Sequence, residues 1–290
     1  QNLEDVIALI SLYRPGPMDS IPTYLRNRHE PDKISYKTPQ LAHILDVTNG
    51  CIVYQEQVMQ IFRELAGFSF GQADNVRRAM SKKKHAVMEA EREHFVHGCT
   101  EPGHECPGCV ANGISEKVAN EIYDEMSSFA SYAFNKSHAA CYAYVAFQTA
   151  YLKCHYPSEF MAALLTSVLD NTDKVIEYSG ECARLGIKVL PPDVNVSGGG
   201  FTADENGQIR FGLNAVKNVG RNLIENVVRE RRNKPYTSLY DFCKRMHGNE
   251  LNRRAVECLI KAGAFDRLGN NRHSHVEAVE GILKSIETDT

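Results

Sequence analysis

The chain has 290 residues, enough for one large domain or two of ordinary size, and its 43% hydrophobic content excludes disorder as the default reading. A formal net charge of −3 excludes a globally basic protein, so any recognition of anions rests on local clusters of cations. No stretch approaches the roughly 20 apolar residues of a membrane span, and the start has neither signal nor transit character. Nine cysteines, odd in number and mostly single in apolar stretches, point to reduced thiols in a cytoplasmic protein.

Apolar residues recur with a period of 3.6 and strict alternation is scarce, so the expected class is mainly α. The first expected helix covers 1–13, with Leu3, Val6, Ile7, Leu9 and Ile10 on one stripe. It opens the chain without an initiator Met, and sequence upstream of it is expected. Further helices are expected at 56–66, 73–83, 85–97, 115–130, 138–155, 158–169 and 172–185, the last closed by Gly186 as the residue after its C-cap. The composition then changes, with an apolar run Ile187 to Val189, Pro191, Pro192 and a glycine triplet, Gly198 to Gly200. Phe201, Asn206-Gly207, Ile209 and Phe211 follow as a β-hairpin pattern around a type I′ turn. Helices resume at 221–231, 238–246, 251–261 and 273–287. This places a boundary near 170–192: residues 1–170 form a multi-helix domain with a Cys-rich insertion at 97–113, and 171–290 form a second region. Cys51, Cys141, Cys154, Cys182, Cys243 and Cys258 read as small buried hydrophobes.

Two segments carry candidate anion sites. Arg77-Arg78-Ala79-Met80-Ser81-Lys82-Lys83-Lys84 puts five cations in eight residues at the end of a helix whose other face holds Phe70, Ala73, Val76 and Met80. Arg78 and Lys82 fall one turn apart, and such a row suits a polyanion the length of a triphosphate, each cation meeting a phosphoryl oxygen. The same row would serve as a solvated face whose cations favour the helix C-terminus. Phe134-Asn135-Lys136-Ser137-His138 leads into an apolar helix with Ser137 as its N-cap. The free N–H groups of the first turn, Lys136 and His138 then converge on one anion position. A capped helix with incidental polar neighbours is the alternative.

These segments, together with Leu12-Tyr13-Arg14-Pro15-Gly16-Pro17-Met18, Tyr54-Gln55-Glu56-Gln57-Val58-Met59-Gln60 and Tyr156-Pro157-Ser158-Glu159-Phe160-Met161-Ala162-Ala163, resemble successive motifs of the bacterial DNA polymerase III alpha family, the family C replicative polymerases, in the same order and at similar spacing. The resemblance covers nearly the whole chain. It implies the fingers region of a template-directed DNA polymerase, whose nucleotidyltransferase-like palm holds two Mg2+ ions on three aspartates N-terminal to this sequence. No Asp-x-Asp pair is found here, so the chain alone is expected to be inactive. By the resemblance, Arg77, Arg78, Lys82 and Lys83 would pair with the triphosphate of the incoming dNTP, and Lys136, Ser137 and His138 would line the same pocket. Arg14, stiffened by Pro15 and Pro17, is a candidate for that pocket or for a structural ion pair. Primer-template DNA, the sliding clamp and other replisome subunits are the implied partners; no clamp-binding peptide is evident before Thr290.

In the second region, Gly212-Leu213-Asn214-Ala215-Val216-Lys217-Asn218-Val219-Gly220 followed by a helix from Arg221 has the form of a helix-hairpin-helix, in which glycine lets backbone N–H groups approach a phosphate. Leu259-Ile260-Lys261-Ala262-Gly263-Ala264-Phe265, after Asn252-Arg253-Arg254, looks like its degenerate partner. A tandem helix-hairpin-helix grips duplex DNA through its backbone, with Lys217, Asn218, Gly220, Arg221, Arg253, Arg254 and Gly263 as candidate contacts. From Gly207 to Arg254 there are 11 Lys/Arg against 4 Asp/Glu, in a chain that is −3 overall. An ordinary helical hairpin with a capping glycine is the alternative. At the level of function, a non-enzymatic duplex-binding module stands beside the polymerase reading.

The segment His97 to Cys109 departs from the family pattern, which has a shorter loop there. Cys106-x-x-Cys109 has zinc-knuckle spacing, with Cys99 as third and His104 or His97 as fourth ligand of a structural Zn2+. No second Cys-x-x-Cys accompanies it, so a reduced, empty loop and a redox-active disulfide stay open.

Overall fold

A computed structural model of the chain describes residues 2–82, 85–130, 132–269 and 271–288. Two compact units divide between Gln148 and Thr149. Each carries its own apolar cores.

The first unit is helical: α1 (Leu3–Leu12), α2 (Ile21–His29), α3 (Ala42–Leu45), α4 (Gln55–Ala66), α5 (Phe70–Ser81), α6 (His85–His97), α7 (Gly108–Ala111), α8 (Glu116–Ala130) and the start of α9 (Lys136–His155), which runs through the division. Local capping sets the helix starts. Asn2 accepts the N–H of Asp5 at 2.9 Å, so α1 begins at Leu3. Ser69 and Gln72 form a reciprocal capping box that starts α5 one turn before the expected 73. The unexpected α2 has a proline in its first turn, where the missing N–H costs nothing.

Val58, Ile61, Phe62 and Leu65 form one buried stripe on α4. Phe62 meets Phe95 of α6 and Tyr123 of α8 edge-on, with centroids 5.0 and 6.0 Å away. Ala73, Val76 and Met80 of α5 join this core, but Phe70 stays exposed, with the Arg63 guanidinium 5.8 Å over its ring. A second core joins Ile7, Ala8 and Leu12 of α1, Tyr24 of α2, and Ala139 and Ala143 of α9.

The second unit holds α10 (Pro157–Ser167), α11 (Thr172–Arg184), three short strands, and α12 (Arg221–Glu230), α13 (Leu239–Met246), α14 (Arg253–Ala262) and α15 (Arg272–Thr288). The strands, β1 (Val189–Leu190), β2 (Thr202–Ala203) and β3 (Ile209–Arg210), make a sheet of order β1-β3-β2. β3 pairs parallel with β1, Val189 opposite Ile209, and antiparallel with β2, Thr202 opposite Arg210. Met161 and Leu165 of α10 and Val175 and Cys182 of α11 bury against Phe201 and Ile209 of this sheet region. That packing explains why the division lies at 148/149 and not near 170.

The expected type I′ turn is not what closes the hairpin. Such a turn needs positive φ at both central residues, and here only Gly207 has it (φ +70), while Asn206 does not. Asp204 N donates to Gln208 O at 2.8 Å across a three-residue loop, and the Asp204 carboxylate accepts from Asn206 N and Gln208 N, both at 2.9 Å. The glycine triplet also has a packing role. Leu213 N and Asn214 N donate to Gly198 O and Gly199 O at 2.9 and 3.0 Å, and a Cβ on Gly212 would lie 2.5 Å from the Gly200 carbonyl carbon.

Cys182 and Cys243 are fully buried and Cys51 nearly so, but Cys258 is only half-buried and Cys141 and Cys154 are exposed. The reason for Cys141 is that α9 enters its core through Ala139 and Ala143, with Ala140 partly buried beside them, and Cys141 lies off that face. Among the described residues, no helix is long and apolar enough to cross a membrane.

Candidate functional site

Three of the sequence motifs meet at one extended segment, 132–135. Tyr54 and Phe134 form a parallel bridge, with Gln55 N donating to Phe134 O at 3.0 Å and Phe134 N to Val53 O at 3.2 Å. Gly16 adopts φ +100, and an added Cβ would fall 2.4 Å from the ring of Tyr132, so only glycine lets the Leu12–Met18 segment lie here. Arg14 uses this approach to place its guanidinium 5.1 Å over the Phe134 ring. Among the described residues it is in no ion pair, and it does not line the cavity described below.

Each residue of Tyr54-Gln55-Glu56-Gln57 has a separate task. Gln57 is buried; its carbonyl oxygen accepts Val53 N and Tyr54 N at 2.9 and 3.0 Å, and its amide donates to Ile44 O at 3.1 Å and Thr48 Oγ1 at 2.7 Å. Gln55 donates to Ala133 O at 3.0 Å and accepts from Arg77 Nη1 at 3.0 Å, tying α5 to the 132–135 segment. Glu56 turns to the start of α9. Its carboxylate accepts Lys136 N at 3.0 and 3.1 Å and the Asn135 side-chain amide at 3.0 Å.

Glu56 changes the reading of the α9 start. The residue capping α9 is Asn135, whose side-chain oxygen accepts His138 N at 2.8 Å; Ser137 lies inside the helix. The Lys136 N–H and the positive end of the helix are already met by the chain's own Glu56 carboxylate. Lys136 Nζ reaches Glu4 at 3.2 Å and sits 5.3 Å over the Tyr54 ring, and His138 packs its ring against Phe134 and Tyr142. The α9 start is therefore a carboxylate-bound joint and not an open anion site.

The α5 cations divide. Asp74 binds both arginines, Arg77 through Nε and Nη2 at 3.0 and 2.8 Å and Arg78 through Nε at 2.8 Å. The Arg77 hydrogen bonds, more than any other cause, hold the Asp74 carboxyl below its ordinary value. Arg77 faces a cavity of about 470 Å³ lined by Gln55, Glu56, Met59, Gln60, Arg63, Glu64, Phe70, Asp74 and Asn135. Arg78 and Lys82 instead line a depression of about 250 Å³ with Asn75, Ala79 and Val87. Consecutive residues on an α-helix leave the axis about 100° apart, and although both guanidinium groups reach Asp74, only Arg77 lines the larger cavity. The single pocket expected for Arg77, Arg78, Lys82, Lys136, Ser137 and His138 is not formed, and Lys83 lies outside the described residues. The cavity residues that sequence reasoning passed over are Gln55, Glu56, Arg63, Asp74 and Asn135. Of these, Asp74 had a visible signal, sitting three and four residues before the two arginines.

In the second unit, the segment before α12 is a single 3-10 turn, Leu213–Ala215, not a helix. The left-handed residue of the hairpin is Asn218 (φ +63), while Gly220 has an ordinary φ of −71 as N-cap of α12. Lys217 is exposed with no ion pair among the described residues, and Arg221 reaches Asp170 at 2.8 Å. In the other hairpin, Gly263 closes α14 at φ +94, and a Cβ there would lie 2.4 Å from Arg272 Nη2. Gly263 is thus covered by Arg272, which Asp266 holds at 2.6 Å, and does not present an open turn to a ligand. Arg253 pairs with Glu257 and Glu280, both at 2.7 Å, and Arg254 is exposed with no ion pair among the described residues.

The charge excess of 207–254 is partly internal. Arg231 donates to the carbonyls of Val194, Ser197 and Val196 at 3.0, 2.6 and 3.3 Å, and its burial lowers its pKa. Arg245 stacks on Tyr236 at 4.4 Å and donates to Glu230 O and Lys234 O, both at 2.8 Å. Arg210 donates to Pro191 O at 2.9 Å.

The cysteine segment does not assemble a ligand set. Among the described residues, no group of three or more His, Cys, Asp or Glu is placed to hold a metal ion. Cys106 and Cys109 turn into the apolar core around Phe62, while His104 is exposed on the loop and His97 faces Glu93 and Glu116. Burial pushes the Cys109 thiol up to about 12.

A family model described as "Bacterial DNA polymerase III alpha subunit finger domain" matches residues 1–103, and one described as "Helix-hairpin-helix motif" matches 186–275. Three relatives named DNA polymerase III subunit alpha align over 98% of this chain: that of Thermus aquaticus at 49% identity, that of Bacillus subtilis strain 168 at 44% and that of Escherichia coli K12 at 43%. The chain belongs to the bacterial DNA polymerase III alpha family. It spans about a quarter of those relatives' length, the aligned part being 23%, 25% and 24% of each. The finger match holds α4, α5 and the cavity lining other than Asn135, and the helix-hairpin-helix match holds both glycine turns.

Proposed function

We propose that this chain is the fingers segment of a replicative DNA-directed DNA polymerase, and that it holds the triphosphate of an incoming dNTP on α5 and the backbone of the primer-template duplex on the second unit. The observation that carries the reading is the cation arrangement of α5 inside the finger match. Arg77 faces the cavity, and Arg78 and Lys82 stand exposed one turn apart beside it. Both arginines reach one anion, the shared Asp74 carboxylate, and Lys82 lines the same depression as Arg78. A triphosphate arriving here exchanges one anion for another: phosphoryl oxygens replace Asp74 on the guanidinium groups, so no bare cation has to be created beforehand. Arginine charge then offsets the negative charge that grows on the departing pyrophosphate.

Mg2+, held by palm carboxylates elsewhere in the polypeptide, supplies the activation of the attacking 3′-hydroxyl and of the leaving group. Without those carboxylates the 290-residue chain alone is inactive. In the second unit Lys217 and Arg254 are the phosphate contacts that need no exchange, whereas Arg221 and Arg253 would first give up the carboxylates they hold, as Arg77 and Arg78 do. The whole protein works in the cytoplasm with the sliding clamp and other replisome subunits.

Binding of a fluorescent dNTP to the chain tests this reading, with Arg78→Ala beside the unmodified sequence. We expect roughly a tenfold loss of affinity, the effect of one charge-assisted hydrogen bond at about 1.4 kcal/mol. Equal affinity for both would overturn the nucleotide role. The exposed Lys217 and Arg254 favour a second reading, a duplex-binding module without nucleotide recognition; it predicts salt-dependent duplex binding and no dNTP binding by either protein.

A further inference from the structure

The backbone of 98–108 sets two cysteines opposite each other. Cys99 N donates to Cys106 O and Cys106 N donates to Cys99 O, both at 2.9 Å. This reciprocal exchange defines a hydrogen-bonded antiparallel pair, in which the Cα atoms are about 5.5 Å apart and the two side chains leave the same face. A disulfide spans Cα separations of roughly 4.4–6.8 Å, so the Cα atoms sit within its range; to form it the Cβ atoms close by about 1 Å and the Cys106 thiol leaves His94 O, to which it donates at 3.6 Å.

Two glycines build this register in. Gly98 and Gly108 have φ +90 and +77; a Cβ on Gly98 would lie 2.5 Å from Pro107 O, and one on Gly108 would lie 2.3 Å from Gly98 N. Neither position accepts a side chain, so the two backbone runs touch and hold Cys99 against Cys106. Both thiols are free. Cys106 is buried against the first unit's core, and Cys99 is half-buried against the same core.

We propose that Cys99 and Cys106 are a redox modification site, forming a reversible disulfide that closes the 99–106 loop when the protein meets a small-molecule disulfide. Cys99, the more accessible of the two, attacks as thiolate one sulfur of the small disulfide. That S–S bond breaks, one small thiolate leaves, and a mixed disulfide remains on Cys99. Cys106 then loses its proton to solvent and attacks the Cys99 sulfur, displacing the second small thiol. The chain is oxidised by two electrons and loses two hydrogens; the small disulfide is reduced to two thiols. Burial raises the Cys106 thiol above its ordinary value, and the intramolecular nature of the second step offsets that cost. Cys109 has no such cross-strand partner, is fully buried and stays protonated.

The test is non-reducing peptide mapping of the folded chain after incubation with oxidised glutathione, with exposed Cys141 and Cys154 as internal evidence that the oxidant acted. The expected product is a Cys99–Cys106 cross-link, two hydrogens lighter than the reduced form, absent from Cys99→Ser and Cys106→Ser and retained in Cys109→Ser. Proteolysis within 100–105 slows several-fold in the oxidised form and recovers with a dithiol. The proposal is overturned by glutathione left on Cys99 with no cross-link, by a Cys106–Cys109 link, or by one zinc ion per chain in native mass spectrometry protecting these thiols. The wild-type map decides the matter alone should a serine variant fail to fold.

Discussion

The first unit keeps the arginines of α5 at the edge of a cavity and holds them with a carboxylate, whereas the second unit turns several of its arginines inward onto backbone carbonyls. Asp74 and the arginines it holds line open cavities. The carbonyls that hold Arg231, and with the Glu230 and Asp241 carboxylates hold Arg245, belong to loop and helix ends that pack against the guanidinium groups. The same residue type is therefore a cavity-facing group in one place and a structural pin in the other, and the difference lies in whether its present partner lines an open cavity. A count of cations along the chain does not separate the two.

This contrast breaks most visibly on substitution of the pins. Arg245→Ala and Arg231→Ala should each lower the stability of the second unit by on the order of 2–3 kcal/mol, because several carbonyls lose a charged donor. Chemical denaturation followed by hydrogen exchange in 194–246 measures this, and an unchanged midpoint would mean that these arginines are surface groups after all. Asp74→Asn should act in the opposite sense on the first unit, freeing Arg77 and Arg78 and tightening dNTP binding by roughly threefold to tenfold, with stability changed by less than about 1 kcal/mol. Weaker nucleotide binding in that variant would show that Asp74 orients the arginines and does not compete for them.

Glu56→Gln removes the charge that meets the start of α9 while keeping its shape. A loss of about 1 kcal/mol in the first unit is expected, the usual worth of a charge-assisted cap, and urea denaturation reads it. Lys217→Ala and Arg254→Ala should weaken duplex binding evenly across DNA sequences, each lowering the slope of log affinity against log salt by about 0.9. A sequence-dependent loss would contradict backbone recognition.

The smallest effect concerns pH. His275 is buried beside the Phe265 ring, with centroids 6.2 Å apart, and desolvation lowers its pKa from the ordinary 6.5, Asp266 opposing. The unfolded chain then takes up a proton at a higher pH than the fold does. The contribution is complete above pH 6.5 and is lost as pH falls through the folded value. Denaturation midpoints of the second unit between pH 7 and 5 should decline, and His275→Phe should flatten that part of the decline.

Much of the fold was legible. Long stripes such as Val58-Ile61-Phe62-Leu65 gave α4 to within a residue, and Gly186 (φ +74) marks the end of α11 as expected. The hairpin was visible but its turn was misread, because Asn-Gly permits a two-residue turn while the Asp204 carboxylate, which accepts two N–H groups, selects a three-residue one. β1 was passed over, since its partner Ile209 lies beyond the range of any local pattern. The candidate site was legible as a list of basic residues and not as an arrangement. Ser137 was a reasonable cap by type, and Asn135 won because it sits one place before the first helical residue and also reaches Glu56.

By itself the sequence determined where helices form, which faces are apolar, and to which family the motifs belong. All of these are properties of neighbours a few residues apart, or of residue order. Only the tertiary structure decided that Glu56 fills the start of α9 across 80 residues, that Arg77 and Arg78 part company, and that Cys99 lies opposite Cys106 while His104 turns away. Each of these depends on the direction of a side chain relative to a distant backbone, and direction is set by packing, which residue spacing along the chain does not encode.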